Sequence, residues 1–379
     1  MKTEMKELIK LLPEGYEKAC FETKAMTRKR TIADPKDLLV LLLYYLYENH
    51  SLVDTSQFAF MCGIGNISDV AFMKRFLKCH DWIRWMIEHM LPAEIIHYQK
   101  PKELEPYKLL AVDASSITKK GAVQYSWHLH YAVDIFTLSC NQFLRTDQSV
   151  GESMENFDIE KGDLVLGDRA YGSIKSIRHC LEHGGDFILR IRNKAFQMYD
   201  ENRNKIILSD WLKTVSSRAV DKKVYVKTAQ KEWIPLRICA VLKPEEQREK
   251  EEKRMKRQQQ KSQKELSAET KFTRQYFFVI TSLPESICAE KVLEFYRLRW
   301  QVELVFKRLK AILGLGSLPV KTEEAAETWI DGKMMVALLI EKYLGDIDFS
   351  PSGRTAEKEE PVEGDETGVP AFSGHDISR

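Results

Sequence analysis

The amino-acid sequence predicts an α/β protein, in which a mixed sheet flanked by helices follows a helical N-terminal domain and is interrupted by a β-rich insertion. Three observations support this fold class. Apolar side chains recur at helical spacing through residues 1–100. Alternating and β-branched runs typical of strands begin at residue 107. A charged stretch at 244–275 has no apolar stripe and is therefore expected outside any core.

Composition narrows the possible function classes. With 379 residues, 44% of them hydrophobic, the chain can build more than one domain with a substantial core. The chain has no apolar run of about 18 residues and no signal-peptide core, which predicts a cytoplasmic protein without membrane contact. Seven scattered cysteines without a CxxC pair suit reduced thiols in that compartment.

The net charge of +2 conceals an asymmetry along the chain. Residues 352–379 carry seven acids against three bases, so residues 1–351 hold 55 bases against 49 acids. This excess of bases permits nucleic-acid binding without requiring it. The acidic tail, 346–379, is polar and nearly free of large apolar residues, and it is predicted to be disordered.

The N-terminal domain contains clear helix start and stop signals. Pro35 suits the first position of one helix, Ser51 begins a capping-box pattern for the next, and Ser68 suits the cap of a third. The last two helices flank a Gly-containing turn and are therefore compatible with a helix-turn-helix. Purely structural packing of three helices is the alternative. In the DNA-binding interpretation, the bases available for phosphates are Lys74, Arg75 and Lys78.

The core and insertion follow from the strand patterns. A strand is predicted at 107–117, with Asp113 near its end, and a short apolar strand ends at Asp168. Antiparallel strands lie between them, and a helix with a glycine stop and another strand follow. The predicted divisions of the chain are 1–100 (helical), 101–192 (first part of the core), 193–285 (β-rich insertion), 286–345 (second part of the core) and 346–379 (tail).

A single helix is predicted at 292–316, and four of its residues share one face. Tyr296, Arg299, Glu303 and Lys310 are spaced by three, four and seven residues, which places them within an arc of roughly 60° on an α-helix. An apolar stripe occupies the neighbouring arc and would fix the helix in the core. The layout suits a site that binds a metal and a polyanion side by side. An ordinary amphipathic helix with a charged outer face is the alternative.

Three carboxylates in these segments could form one site. Asp113 and Asp168 end hydrophobic strands and would lie together if the first and fourth strands are neighbours, and Glu303 would complete an all-oxygen ligand set. Hard oxygen ligands suit Mg²⁺ or Mn²⁺, and two such ions can activate a nucleophile and stabilise the leaving oxygen of a phosphodiester. Taken singly, strand-end aspartates more often serve as turn or cap residues.

The order strand-Asp, strand-Asp, helix-Glu resembles the RNase H-like fold of DDE transposases. The run YRLRWQVELVFKRLK matches the Tyr-x2-Arg-x3-Glu-x6-Lys signature of the insertion-sequence-four family of bacterial transposases at every defined position. The segments LLAVDASS, around Asp113, and VLGDRAYG, around Asp168 and Tyr171, are similar to the blocks around that family's first two acids. The likeness covers about residues 25–345.

The resemblance implies a role for each matched residue. Asp113, Asp168 and Glu303 would be the catalytic residues and would bind two Mg²⁺ ions, for which Mn²⁺ can substitute. Tyr296, Arg299 and Lys310 would contact phosphates of the transposon end, and the motif residue Tyr171 is a further candidate for DNA contact. The implied partners are the terminal inverted repeats, target DNA and a second copy of the chain in a synaptic complex near the nucleoid.

The resemblance also implies a reaction, hydrolysis at the transposon ends followed by attack of the freed 3′-hydroxyl on target DNA. Two alternatives remain from the sequence, namely a transposon-derived DNA-binding protein without cleavage activity and an RNase H-like nuclease without strand transfer. Relatives of this type can stack a flipped base on a tryptophan of the insertion, for which Trp211 and Trp233 are candidates, although packing is the simpler role. The histidine pairs His179/His183 and His128/His130 are each expected to pack rather than to bind metal.

Overall fold

The computed structural model describes residues 8–346, except 30, 48–49, 92–99, 120–124, 138, 313, 315–316 and 321. The predicted disordered tail therefore lies outside the described residues, apart from residue 346. In the described part of the chain, no helix is long and apolar enough to cross a membrane.

Helices make up the N-terminal region, as the sequence predicts. Ser51 and Asp54 form the predicted capping box, and the Ser68 hydroxyl accepts a hydrogen bond from the Ala71 amide. Gly63, at φ 71°, follows the second of the three predicted helices, as expected for a helix stop. The helices of this region are α1 (Tyr16–Glu22), α2 (Pro35–Tyr47), α3 (Leu52–Met61), α4 (Asp69–Leu77) and α5 (His80–Met90).

One mixed sheet runs through the rest of the molecule. Its hydrogen-bonded order within the described residues is β3-β2-β1-β4-β5-β10-β9-β8-β6-β7, and β11 pairs with β1. The strands are β1 (Lys108–Lys119), β2 (Tyr125–Asp134), β3 (Ser139–Asp147), β4 (Asp163–Gly167), β5 (Asp186–Arg190), β6 (Met198–Tyr199), β7 (Lys205–Ile206), β8 (Val220–Lys227), β9 (Trp233–Leu242), β10 (Tyr276–Thr281) and β11 (Ser317–Leu318).

The strands of the β-rich segment extend the same sheet. β10 pairs directly with β5, and β9 and β8 continue outward from it as antiparallel neighbours. The charged stretch is mostly helical, as α8 (Glu245–Ser262) and α9 (Ala268–Thr273). A short helix, α7 (Leu208–Leu212), lies within the β-rich segment, and another, α6 (Ile174–Glu182), follows β4.

Both faces of the sheet are covered, which explains the continuous apolar runs in its central strands. Leu109, Ala111, Leu164 and Leu166 face one core, which they share with the N-terminal and C-terminal helices. The alternate residues of the same strands face a second core, which they share with α6 and the β-rich segment. The first of these faces is the one that carries the candidate site.

The prediction of one helix at 292–316 is wrong. The structure has α10 (Ala289–Arg297) and α11 (Trp300–Ile312), separated at Leu298 and Arg299. At the break, the Gln301 amide donates to the Leu298 carbonyl and the Val302 amide to the Arg299 carbonyl, an i→i+3 pattern in place of i→i+4. No glycine or proline stands at this position, so no local sequence signal predicts the break. The last helix, α12 (Glu323–Asp346), packs against α2 and α5.

Candidate active site

Two aspartates meet at one edge of the sheet because β1 and β4 are parallel neighbours. Their pairing ends at Ala111 opposite Leu166, and each strand carries its aspartate two residues further on. Alternate residues of a strand point to the same face, and the two aspartates alternate with Ala111 and Leu166 in this way. Both therefore lie on the face that packs against the N-terminal and C-terminal helices. The sequence placed Asp113 near the end of its strand. It lies instead in the middle of a longer β1, just beyond the stretch paired with β4.

The turn after β4 packs closely against neighbouring residues. A Cβ atom added to Gly167 would lie 2.7 Å from the Met154 side chain, and one added to Gly172 would lie 2.5 Å from the Arg190 carbonyl oxygen. Larger residues would therefore push the turn away from the sheet. Within the turn, the Ala170 amide donates to Asp168 Oδ1 at 2.7 Å, which fixes the carboxylate beside the strand end.

Asp113 is in an environment that opposes its charge. Its side chain is 23% exposed. Burial raises the pKa of Asp113 to about 7, and the charges of Asp168 and Glu152 act in the same direction. A hydrogen bond from the Ala114 amide and the cation of Arg299 act against this shift. The site therefore favours a cation close to Asp113.

Arg299 supplies that cation in the structure and links the third carboxylate to the first. Its guanidinium lies 4.0 Å from Asp113 Oδ2 and forms a close ion pair with Glu303 on α11. α11 lies across β1 and β2, where the Phe306 ring contacts the Tyr131 ring at 5.7 Å between centroids. Asp113 and Glu303 thus face each other with Arg299 between them.

The residues present suit divalent cations in their chemistry, although their present arrangement does not form a ligand cage. The donors are all carboxylate oxygens, which Mg²⁺ and Mn²⁺ prefer. The buried Tyr171 hydroxyl, whose pKa is raised by burial and by the charges of these carboxylates, has no hydrogen-bond partner among the described residues. However, no three carboxylate, histidine or cysteine side chains among the described residues are close enough together to hold a metal ion. Bringing Glu303 to the aspartates requires Arg299 to move aside.

Glu152 is a fourth carboxylate that sequence reasoning missed. Burial raises its pKa, and the charge of Asp168 raises it further. It precedes a short 3₁₀ helix (Met154–Asn156) rather than ending a strand, so no motif or strand pattern singles it out. Only the folded arrangement brings it beside the two aspartates.

A group of partly buried cations adjoins the carboxylates and was also missed. Burial lowers the pKa of Arg169 to about 10, and the like charge of Arg190 acts in the same direction. Arg190 ends β5 and stacks over the Phe277 ring at 5.4 Å. Lys243 and Arg274 extend the group, and both pair with the single acid Glu251, at 3.4 and 3.8 Å. Arg169 directly follows Asp168 in sequence, so its position beside the carboxylates could have been predicted together with that of Asp168.

The structure separates the four residues that the sequence placed on one helical arc. Tyr296 lies on α10 and is 5% exposed, with its ring 5.5 Å from that of Phe277. Arg299 lies at the break, whereas Glu303 and Lys310 lie on α11 with exposed side chains. The Arg299 guanidinium still connects them, because it lies 6.0 Å from the Tyr296 ring centroid and contacts Asp113 and Glu303. Lys310 extends from the same helix as Glu303.

The further candidates for DNA contact have mixed environments. Lys74 and Lys78 are exposed on or beside α4. The Arg75 guanidinium instead donates to the Ala25 carbonyl at 2.7 Å, so it stabilises the helical region. The Tyr171 side chain is fully buried, which is not the surface position that direct DNA contact requires.

The histidine pairs have structural partners. His179 and His183 hydrogen-bond to the Phe157 and His179 carbonyl oxygens at 3.0 and 2.8 Å. His128 bonds to the Val150 carbonyl at 2.9 Å, and His130 to the Thr146 hydroxyl at 3.0 Å. These contacts agree with the packing role expected from the sequence.

Comparison with known proteins identifies the relatives of this chain. Residues 105–339 match the family described as the transposase DDE domain. The putative transposase InsL for insertion sequence element IS186A of Escherichia coli K12 is 28% identical over 356 residues, which cover 91% of this chain and 95% of that protein. The transposase for insertion sequence element IS421 of Escherichia coli is 28% identical over 357 residues, with the same coverage of each chain.

Proposed function

The chain belongs to the DDE transposase family, and from this membership we propose that it cuts DNA at the ends of an insertion sequence and joins the freed 3′-hydroxyl to target DNA. The observation that carries the proposal is the approach of Asp113 and Asp168 where the parallel pairing of β1 and β4 ends, with Glu303 linked to Asp113 through Arg299. A DDE transposase requires three carboxylates at one place, and we assign that role to Asp113, Asp168 and Glu303.

Asp113, Asp168 and Glu303 are the residues that would hold two divalent ions, Mg²⁺ or Mn²⁺. Bound divalent ions would supply Lewis-acid activation of water or of a 3′-hydroxyl. The raised pKa of Asp113 supports this assignment, because a buried carboxylate beside two others is stabilised by a bound cation. We propose that Arg299 neutralises the carboxylates until metal and DNA arrive, and then contacts a phosphate.

The neighbouring cations are the proposed contacts for the DNA strand that enters the site. Arg169 and Arg190 have no carboxylate within ion-pair distance among the described residues, and both side chains are only partly exposed. A partly desolvated guanidinium binds a phosphate more strongly than an exposed one does. Together with Tyr296 and Lys310, they would position the scissile strand against the carboxylates.

The architecture supports a finer proposal about the fold and its divisions. Acids on two neighbouring strands and on a later helix of a mixed sheet support an RNase H-like core formed by residues 101–192 and 286–345. The region 1–100 is the proposed DNA-binding domain, with Lys74 and Lys78 as its exposed cations, and 193–285 is the proposed insertion. Two copies of the chain would act on paired ends in a synaptic complex.

The test uses purified full-length protein and labelled duplex DNA that spans one end of its insertion sequence. With Mg²⁺ or Mn²⁺, the wild-type protein should release ends with a 3′-hydroxyl and join them to a target plasmid, and EDTA should stop both steps. Asp113→Asn, Asp168→Asn and Glu303→Gln should each reduce cleavage at least about a hundredfold, since loss of weaker outer contacts already costs 10–100-fold at metal sites. DNA binding should remain.

Asp210→Asn is the matched control, because Asp210 is an exposed acid paired with Lys213 on a surface helix. Wild-type protein that binds the end without cutting would indicate a DNA-binding protein only. Cleavage without joined product would indicate a nuclease without strand transfer. A fully active Asp113, Asp168 or Glu303 variant would refute the proposed site.

A further inference from the structure

The outer part of the sheet, far from the carboxylates, has one apolar face and one face of aromatic and basic residues. Val224 and Val226 of β8 and Leu236 of β9 point into the second core. The alternate residues of these strands point to the opposite face, where register pairs Tyr199 with Tyr225 and Lys227 with Trp233. We name this surface the aromatic–basic face. It consists of Tyr199, Arg203, Lys223, Tyr225, Lys227 and Trp233.

Arg203 is held at the centre of this face by two rings. Its guanidinium carbon lies 4.2 Å from the Tyr225 ring centroid and 4.3 Å from that of Trp233. Tyr199 packs edge-on against Trp233 at 5.0 Å, which supports the ring from the side. A stacked guanidinium has a fixed plane, and its N–H edge remains available to a phosphate.

The backbone conformation of Arg203 makes a clean test of its side chain possible. The residue has φ 66°, a left-handed conformation that favours glycine, at the turn between β6 and β7. This turn is closed by bonds from the Asp200 amide to the Asn204 carbonyl and from the Arg203 amide to the Asp200 carbonyl. Glycine would adopt this conformation at lower cost, so an Arg203→Gly variant removes the side chain without straining the turn.

A neighbouring turn provides a natural comparison. Between β8 and β9, Lys231 has φ 67°, and the Thr228 and Lys231 amides make the same two closing bonds. Lys231 makes no ring contact among the described residues, unlike Arg203. The two positions therefore share backbone geometry and charge and differ in the aromatic support of the side chain.

The three cations of the face make no ion pair with the described acids. No carboxylate lies within ion-pair distance of Arg203, Lys223 or Lys227 in the described part of the chain, whereas Arg237 of β9 pairs with Asp221. Lys227 lies 5.2 Å from the Trp233 ring centroid and Lys223 lies 5.9 Å from that of Tyr225. Unpaired cations interleaved with aromatic rings suit a sugar–phosphate backbone.

We propose that the aromatic–basic face binds the backbone of the substrate DNA at a distance from the cut. The proposal rests on the proposed function, since it places a second contact on the same DNA. β8 is five strand positions from β1 in the sheet. At about 4.8 Å per strand, β8 lies about 24 Å from β1 across the sheet, which corresponds to about seven base pairs of duplex.

The experiment measures DNA binding by the full-length protein in EDTA, so that no cleavage occurs. The probe is a labelled duplex of about 40 base pairs that spans the end of the insertion sequence, titrated at several KCl concentrations by fluorescence anisotropy. Arg203→Gly should weaken binding about threefold to tenfold, because it removes a phosphate contact while glycine accepts the backbone conformation. Lys231→Gly, the matched control, makes the same backbone change and should bind like the wild-type protein.

A triple variant, Arg203→Gly with Lys223→Gln and Lys227→Gln, tests the face as a whole. Loss of three phosphate contacts should reduce the slope of log K against log salt by about 2.7, at 0.9 per contact. Hydroxyl-radical footprinting should show loss of protection about seven base pairs from the cut, while protection at the cut remains. Urea unfolding of each variant should match the wild-type protein, which excludes loss of fold.

The outcomes separate this inference from the proposed function. If the wild-type protein binds and cuts the end but the triple variant keeps its salt slope and footprint, the face does not bind DNA and the proposed function stands. Equal losses in Arg203→Gly and Lys231→Gly would also overturn the inference, because they would indicate general loss of positive charge. If the wild-type protein itself neither binds nor cuts the end, the proposed function fails.

Discussion

At the scale of single residues, Asp113 has the environment that conflicts most with its charge. Its pKa is raised to about 7, first by burial and then by Asp168 and Glu152. A carboxyl whose pKa is raised on folding stabilises the protein below its unfolded pKa of about 3.9, and this contribution is lost as the pH rises through 7. At pH 8, Asp113 of the metal-free protein is therefore ionised in a folded environment that destabilises its charge.

Replacing that carboxylate should stabilise the metal-free protein. In EDTA at pH 8, Asp113→Asn should raise the free energy of unfolding by on the order of 1–3 kcal/mol, because an amide carries no buried charge. The gain should shrink at pH 5.5, where the wild-type aspartate is protonated. Urea denaturation at the two pH values measures it, with Asp210→Asn as the control. An equal gain at both pH values would contradict the assignment of the shift to Asp113.

At the scale of helices and strands, the sequence predicts most elements because their signals are local. The capping box at Ser51 and the apolar strand before Asp168 both depend on residues adjacent in sequence, and the structure confirms them. The break at Leu298 and Arg299 has no such signal. It accompanies a tertiary contact, the approach of the Arg299 guanidinium to Asp113, which periodicity cannot show.

The site was predictable in part for the same reason. Asp113, Asp168 and Glu303 stand in motifs, and the parallel pairing of β1 with β4 confirms the condition under which the two aspartates were expected to meet. Glu152 and Arg190 have no motif of their own. Their proximity to the carboxylates follows only from the path of the chain between β3 and β4 and from the position of β5 in the sheet.

The break has a consequence for DNA binding, because it places Arg299 and Lys310 at opposite ends of α11. Arg299→Ala and Lys310→Ala should each weaken binding to a cleaved transposon end and reduce its salt slope by about 0.9, the value for one lost phosphate contact. Anisotropy titrations at several salt concentrations measure this. Arg297→Ala, which removes an exposed arginine from α10, is the control. An unchanged salt slope for Arg299→Ala would show that Arg299 contacts only the carboxylates and no phosphate.

At the scale of the whole molecule, α12 joins the N-terminal helices to the sheet. Gly332 permits a close approach to α2, because an added Cβ atom would lie 2.6 Å from the Leu46 side chain. Nearby, the nearly buried carboxylate of Asp331 accepts hydrogen bonds from His80 of α5 at 3.1 Å and from Arg145 of β3 at 3.4 Å. The sequence could not predict this link, since its three members are far apart in the chain and belong to no motif.

This link should make the stability of the protein depend on pH. The hydrogen bond to Asp331 raises the pKa of His80, so its contribution is fully present below the unfolded value of about 6.5 and is lost as the pH rises through the raised pKa. Between pH 6 and pH 9, the free energy of unfolding of the wild-type protein should therefore fall by about 1 kcal/mol more than that of His80→Gln. Chemical denaturation at both pH values measures the difference. His89→Gln, which replaces an exposed histidine on the same helix, should behave like the wild-type protein. If the free energy of unfolding falls as much in His80→Gln as in the wild-type protein, the Asp331 contact does not control this pH dependence.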